Sequence, residues 1–306
     1  MRTAVLDHVA IGGRVLTDGW ELFGGLLGGS WVYGGDVGFW WGQLGFAAGP
    51  KIELITPTAS PGSAFLERFL TARGAGPHHF NFIVPDITQT LARIRGTGVE
   101  PVGVRLDHPT WKEAFLHPKD AFGIVIQVAQ QNGKPPALTP PAELPAPGPS
   151  CEFALVEHYV GDLAAAITLF RDVLDGELVR VHETAGAERA AAAAEGRPLA
   201  AAELTWPNGT RLRLLEEPRS AEASGPAAPG RPSAHSPVAP ASQKAGRPRP
   251  READRSGRLG ALRFERANGA AFTPADLERA EHLAARLGVP LELGAGPVAV
   301  TQRCTS

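Results

Sequence analysis

Residues 3–130 carry one supersecondary pattern written twice. In the first copy, residues 5–11 alternate and are rich in β-branched side chains, which predicts a strand. Thr17 or Asp18 is placed to cap a helix carrying Trp20, Leu22, Phe23, Leu26 and Leu27, and Gly28 and Gly29 end it. Residues 30–33, 37–44 and 51–56 then read as strands, and Pro57 closes the unit. In the second copy, residues 79–84 form the strand. Asp86 caps a helix with Ile87, Leu91 and Ile94, ended by Gly96 or Gly98. Residues 99–106, 113–117 and 123–129 are its strands. Both copies have the order βαβββ. His8 recurs as His79 after 71 residues, and Glu53 as Gln127 after 74. A repeat this long is a whole module rather than a solenoid unit. The expected fold is α+β, with paired βαβββ modules forming a cupped mixed sheet.

The matched positions are polar residues inside apolar strands. Side chains on a strand alternate faces, so each points to one definite side. If the modules pair edge to edge, His8, Glu53, His79 and Gln127 meet on one concave face. Two imidazoles, a carboxylate and an amide oxygen suit a divalent first-row metal with open positions. One polar residue on a strand usually has a mundane partner; two histidines in phase in duplicated strands are harder to obtain by chance.

Proline marks the boundaries. Residues 131–150 hold seven prolines, a density that blocks helix and ladder alike and favours an extended spacer. Residues 218–257 hold eight, with Val238 as their only large aliphatic side chain; they cannot offset their ordering entropy and read as disordered. The expected domains are 1–130, carrying the metal site, a linker at 131–150, and a second domain over 151–306 with a disordered insert at 218–257.

A net charge of −2 leaves no electrostatic footprint for nucleic acid or an anionic membrane. No apolar run approaches the ~18 residues of a membrane span. Two cysteines, Cys151 and Cys304, make neither a disulfide framework nor a zinc site. These features predict a reduced, cytoplasmic protein. Its expected partner is a small-molecule substrate, with a homodimer left open.

The chain resembles the vicinal oxygen chelate (VOC) superfamily of glyoxalases, bleomycin-resistance proteins and dioxygenases, and is most similar to methylmalonyl-CoA epimerase-like members. The resemblance rests on Lys51-Ile52-Glu53-Leu54-Ile55-Thr56-Pro57, on Gly76-Pro77-His78-His79-Phe80, and on Ala114-Phe115-Leu116-His117-Pro118-Lys119-Asp120 leading into Gly123-Ile124-Val125-Ile126-Gln127. It implies ligands at His8, Glu53, His79 and Gln127 and a divalent ion: Co, Ni, Mn, Zn or Fe. It further implies an isomerase, epimerase or lyase acting on a substrate chelated through adjacent oxygens. The alternatives are a binding protein of the bleomycin-resistance type and an extradiol-type dioxygenase. The family's glutamate base is absent: Gln127 cannot accept a proton, no glutamate lies between Glu21 and Glu53, and Asp36 is the remaining carboxylate in that stretch. On this reading Gln127→Glu tightens metal binding.

The second domain reads as a degenerate copy. Leu155 stands at the position of His8 and Arg213 at that of Glu53. It is expected to bind no metal, and such a domain can wall the active cup. Among the aromatics of residues 31–41, Trp41 is a candidate to stack on a substrate, and Gln43 to hydrogen-bond it.

Overall fold

The computed structural model describes residues 3–133, 139–218 and 255–294. Strands β1 (Val5–Gly12), β2 (Ser30–Asp36), β3 (Phe39–Gly45), β4 (Lys51–Pro57), β5 (Gly76–Ile83), β6 (Val102–Arg105), β7 (Trp111–Leu116) and β8 (Val125–Gln131) form one mixed sheet in the order β2-β3-β4-β1-β5-β8-β7-β6. β1 and β5 run antiparallel at its centre, and each pairs in parallel with the last strand of its own module. The four strands expected to carry the site are therefore neighbours.

Helix α1 (Thr17–Gly19) runs directly into a π-helical stretch, Trp20–Leu26. It begins without a side-chain cap; Asp18 lies in its first turn and pairs with Arg286 at 2.9 Å. Helix α2 (Ala64–Arg73), which the sequence pattern did not predict, joins the modules. Leu66 and Leu70 of α2 form a separate small core with Ala10 and Ile55, against which Phe39, Trp41, Phe65 and Phe69 pack. Helix α3 (Ile87–Gly96) has the expected cap, with Asp86 accepting from the Gln89 amide at 3.0 Å.

The rest of the chain builds a second mixed sheet, β10-β11-β12-β9-β13-β14. Its strands are β9 (Cys151–Val160), β10 (Glu177–Glu183), β11 (Ala200–Thr205), β12 (Arg211–Glu216), β13 (Gly257–Arg266) and β14 (Leu291–Gly294). Its helices are α4 (Leu163–Ile167), continued by π-helical Thr168–Val173, then α5 (Gly186–Ala194) and α6 (Pro274–Arg286). Thr273 and Asp276 form a capping box at the start of α6. Strand β10 was not anticipated, because most of it is exposed and its charged residues mask the alternation. β14 lies parallel to β13 as β8 lies parallel to β5. Most of the expected insert at 218–257 falls outside the described residues. No helix among the described residues is long and apolar enough to cross a membrane.

The two sheets share one hydrophobic core. Leu6, Val9 and Ile11 of β1 enter it, whereas Ala10 belongs to the smaller cluster on the other face. Phe82 of β5 meets Phe170 and Trp206 at ring distances of 6.1 and 5.6 Å, and Phe23 meets Phe264 at 6.0 Å. Polar ties reinforce the joint. Asn208 and Thr210 donate to the Leu6 carbonyl at 2.8 and 3.2 Å, and His158, fully buried, lies 2.7 Å from the Phe122 carbonyl. Among the described residues, the second sheet therefore stands behind the first, on the face opposite Ala10.

The proline-rich segment is no free spacer where it is described. Leu144 packs against the shared core, and the Gly148 amide donates to the Gly24 carbonyl at 3.3 Å. Gly28 has φ +68°, and a Cβ there would stand 2.5 Å from the Pro149 carbonyl oxygen. Gly28 at the end of the first helix is thus needed for this close approach as well as for termination.

Glu217 donates to the Val160 carbonyl at 3.0 Å, and Gly161 donates to Ser256 at 2.9 Å, so both ends of the segment between them are held at one corner. Replacing residues 219–254 by a short Gly-Ser linker should leave folding intact. Loop-closure entropy changes stability by no more than ~2 kcal/mol for such a shortening. Thermal unfolding checks this; a drop of many degrees would refute it.

Candidate metal centre

Register brings the predicted residues together. Ala10 of β1 pairs with Glu53 of β4 on one side and with His79 of β5 on the other. Its methyl group leaves room for the larger side chains around it. The β1–β5 ladder is bulged twice, with Asp7 and His78 as the extra residues. Each bulge places a polar side chain next to the histidine that follows it.

His8, Glu53 and His79 are 2%, 8% and 7% exposed. His8 Nε2 lies 3.4 Å from Glu53 Oε2, and His79 Nε2 lies 3.6 Å from the same oxygen. The imidazole centroids are 5.5 Å apart, and the three ligand atoms all fall within 4.8 Å of one another. Both Nε2 atoms are buried without a hydrogen-bond partner. Buried polar atoms are normally paired, so two unpaired nitrogens converging on a carboxylate oxygen fit a metal ion. It is the only such group of histidine, cysteine and acidic side chains found among the described residues.

The far sides of these three side chains are held. His8 Nδ1 lies 2.9 Å from Asp7 Oδ2, and Lys51 holds the other Asp7 oxygen at 2.5 Å. His79 Nδ1 lies 2.9 Å from His78 Nδ1. Gln43 Nε2 donates to Glu53 Oε1 at 3.0 Å and lies 3.1 Å from His8 Nδ1. Glu53 Oε2 is thereby turned toward the two Nε2 atoms. Outer partners of this kind fix imidazole tautomer and orientation.

Electrostatics assign the charges. Burial lowers the pKa of His8, but Glu53 and Asp7 outweigh it and lift it to about 9. Burial raises that of Glu53, but His8 and His79 bring it down to about 2. Asp7 likewise falls to about 2 against its burial, through His8 and Lys51. Burial holds His79 well below its ordinary value, helped by His78, and brings His78 to about 4. Without metal at neutral pH, the centre holds an imidazolium at His8, a carboxylate at Glu53 and a neutral His79.

Gln127 sits on β8 next to β5, with Oε1 accepting from Asn81 Nδ2 at 2.8 Å and Nε2 donating to Glu113 Oε2 at 2.8 Å. Gln43 serves Glu53 directly, and its own Oε1 is buried without a partner. Trp41 is half-buried, edge-on to Tyr33 at 5.5 Å, and packs against the small core. Asp36 is exposed and accepts from the Gly38 amide at 2.7 Å, closing the β2–β3 turn. Sequence reading missed Asp7, His78, Asn81 and Glu113. Strict alternation puts Asp7 and His78 on the wrong face, and only the bulges bring them round.

The second sheet repeats this layout with different chemistry. Glu157 pairs with Arg213 and with Ala261, as Ala10 pairs with Glu53 and His79. The register then sets Leu155 at the position of His8 and Glu292 at that of Gln127. The bulges recur at Ala154 and Gly260. Where the first sheet gathers His8, Glu53 and His79, the second holds ion pairs: Arg213 with Glu157 at 2.8 Å, and Glu203 with Arg180 at 2.7 Å and with Arg211 at 2.5 Å.

No protein-family model matches the chain, and no curated protein matches it. Solved structures do. A hypothetical protein from Bacillus halodurans C-125 is 24% identical with a TM-score of 0.38, over 44% of this chain and 99% of that one. Methylmalonyl-CoA epimerase from Mycobacterium tuberculosis is 28% identical with a TM-score of 0.38, over 42% of this chain and 88% of that one. A Streptomyces coelicolor methylmalonyl-CoA epimerase variant in complex with 2-nitronate-propionyl-CoA is 22% identical with a TM-score of 0.37, over 42% and 97%.

Proposed function

We propose that the concave face of the first sheet is a mononuclear divalent-metal centre of vicinal-oxygen-chelate type, and that the protein is a metal-dependent isomerase, epimerase or lyase for a small substrate. The observation that carries this reading is the convergence of two unpartnered, buried Nε2 atoms on Glu53 Oε2. His8, Glu53 and His79 would hold the ion, and Gln127 is the neutral fourth candidate. A bound ion would supply Lewis acidity to two adjacent substrate oxygens. The chain's own part is to hold the donors in register, with Asp7 and His78 steadying the imidazoles and Gln43 steadying the carboxylate. Trp41 and Tyr33 flank the site on the β2–β3 side.

A second reading is favoured by the donor set. Two histidines and one carboxylate with open positions also suit non-haem iron and oxygen chemistry. Glu53, held at about 2, is a weak proton acceptor at neutral pH, which weighs against proton transfer through it. Elemental analysis of the purified protein should find about one divalent ion per chain. Incubation with acyl thioesters in deuterium oxide then tests the first reading: entry of solvent deuterium beside the carbonyl supports it and requires a proton acceptor other than Glu53 and Gln127. Oxygen uptake with catechols and no deuterium entry would select the second reading, and a protein that takes up no ion would refute both.

A further inference from the structure

Glu113, on β7, is buried at 7% exposure one strand beyond Gln127. β7 and β8 are antiparallel neighbours, with Phe115 opposite Gln127 and Glu113 opposite Ala129. One Glu113 oxygen accepts from Gln127 Nε2 at 2.8 Å and from Trp111 Nε1 at 2.9 Å. The other oxygen is paired with Arg105. A carboxylate so held can only accept hydrogen bonds. It must therefore face the NH2 end of the Gln127 amide, which turns the carbonyl end toward β5. There Oε1 meets Asn81 Nδ2 at 2.8 Å, on the strand that carries His79.

This orientation matters because the two ends of a glutamine differ toward a cation. The oxygen can ligate it, whereas the NH2 presents only donors. We propose that Glu113 is a positioning residue that locks Gln127 with its amide oxygen toward the ion. The role rests on the centre proposed above. It also reverses the sequence expectation for Gln127→Glu. With Glu113 in place, that substitution sets two acceptor-only groups against each other where one hydrogen bond now stands.

The test uses the full chain loaded with Co2+, reading affinity by competition titration and ligand geometry from the visible absorption spectrum. Glu113→Gln nearly preserves volume and guards against misfolding in Glu113→Ala. Both should weaken Co2+ binding by ~10–100-fold, the usual cost of losing an outer-shell partner, and change the spectrum. Gln127→Glu alone should also weaken it. The exchange Glu113→Gln with Gln127→Glu restores the hydrogen bond in the opposite sense and should recover affinity to the native level or beyond. A structural role for Glu113 predicts no such recovery. Uptake that is native in both Glu113 variants, with an unchanged spectrum, overturns the proposal while leaving the centre standing. So does a double variant no better than Gln127→Glu. A native protein that takes up no Co2+, or keeps its affinity after His8→Ala, overturns the centre and this role together.

Discussion

His79→Ala and His8→Ala should each yield a folded protein that no longer takes up its divalent ion. The loss should exceed the ~10–100-fold that an outer-shell substitution costs, because a donor at the ion itself is gone. The metal-free His79→Ala variant should melt near the native metal-free protein, since its Nε2 has no hydrogen-bond partner to lose, whereas metal-free His8→Ala should melt lower, because the pairs of the imidazolium with Asp7 and Glu53 are lost with it. The difference appears on titration with the ion. Native protein is stabilised by ~2.7 kcal/mol at a free ion concentration 100 times Kd, and the variants are not. Binding is also linked to pH. His8 has a pKa of about 9 in the metal-free protein and must lose its proton to ligate. Uptake near neutral pH should therefore release about one proton, and each pH unit below about 9 should weaken affinity about tenfold. The metal-free protein has the opposite slope. The stability drawn from the protonated His8 is complete below its unfolded value near 6.5 and fades as pH rises through about 9. Calorimetry in buffers of different protonation enthalpy measures the proton. Metal binding that is independent of pH between 6 and 9 would remove His8 from the ion.

The second large effect concerns the joint between the sheets. Residues 1–133 expressed alone should fail to give a stable, soluble monomer, although a proline-rich segment follows them. Phe80 and Phe82 are fully buried within the shared core, and Phe82 packs on Phe170 and Trp206 of the second unit. Separation would expose this face and leave the Leu6 carbonyl without Asn208 and Thr210. In the full chain, Phe82→Ala should cost about 3–5 kcal/mol, the range for a large aromatic lost from a core. Urea unfolding of the native protein should show one transition whether followed at the first sheet or the second. Cooperative folding of residues 1–133 with native metal uptake would contradict the shared core.

The sequence was most legible where the repeat spoke. Polar residues at matched positions of four apolar strands led directly to His8, Glu53 and His79, which the structure brings within 4.8 Å. Other features were hidden for identifiable reasons. α2 was unassigned because no repeat partner pointed to it. β10 was missed because an exposed strand is under little pressure to alternate. Gly28 at the end of the first helix looked like a terminator, but its close approach to Gly148 and Pro149 involves residues more than a hundred positions away.

Strand alternation and duplication are local properties, so the order βαβββ, the placing of four polar side chains on one face and the substitution of Leu155 and Arg213 in the second copy could be read from the chain alone. What lay beyond it depended on register and on contacts across long separations. The bulges at Asp7 and His78, the pairing of Glu113 with Gln127, and the position of the second sheet behind the first all arise when distant strands choose their partners. A shift of one residue reverses a strand's faces. That is why the candidate ligands could be read from the sequence, while the groups packed around them were settled only by the folded sheet.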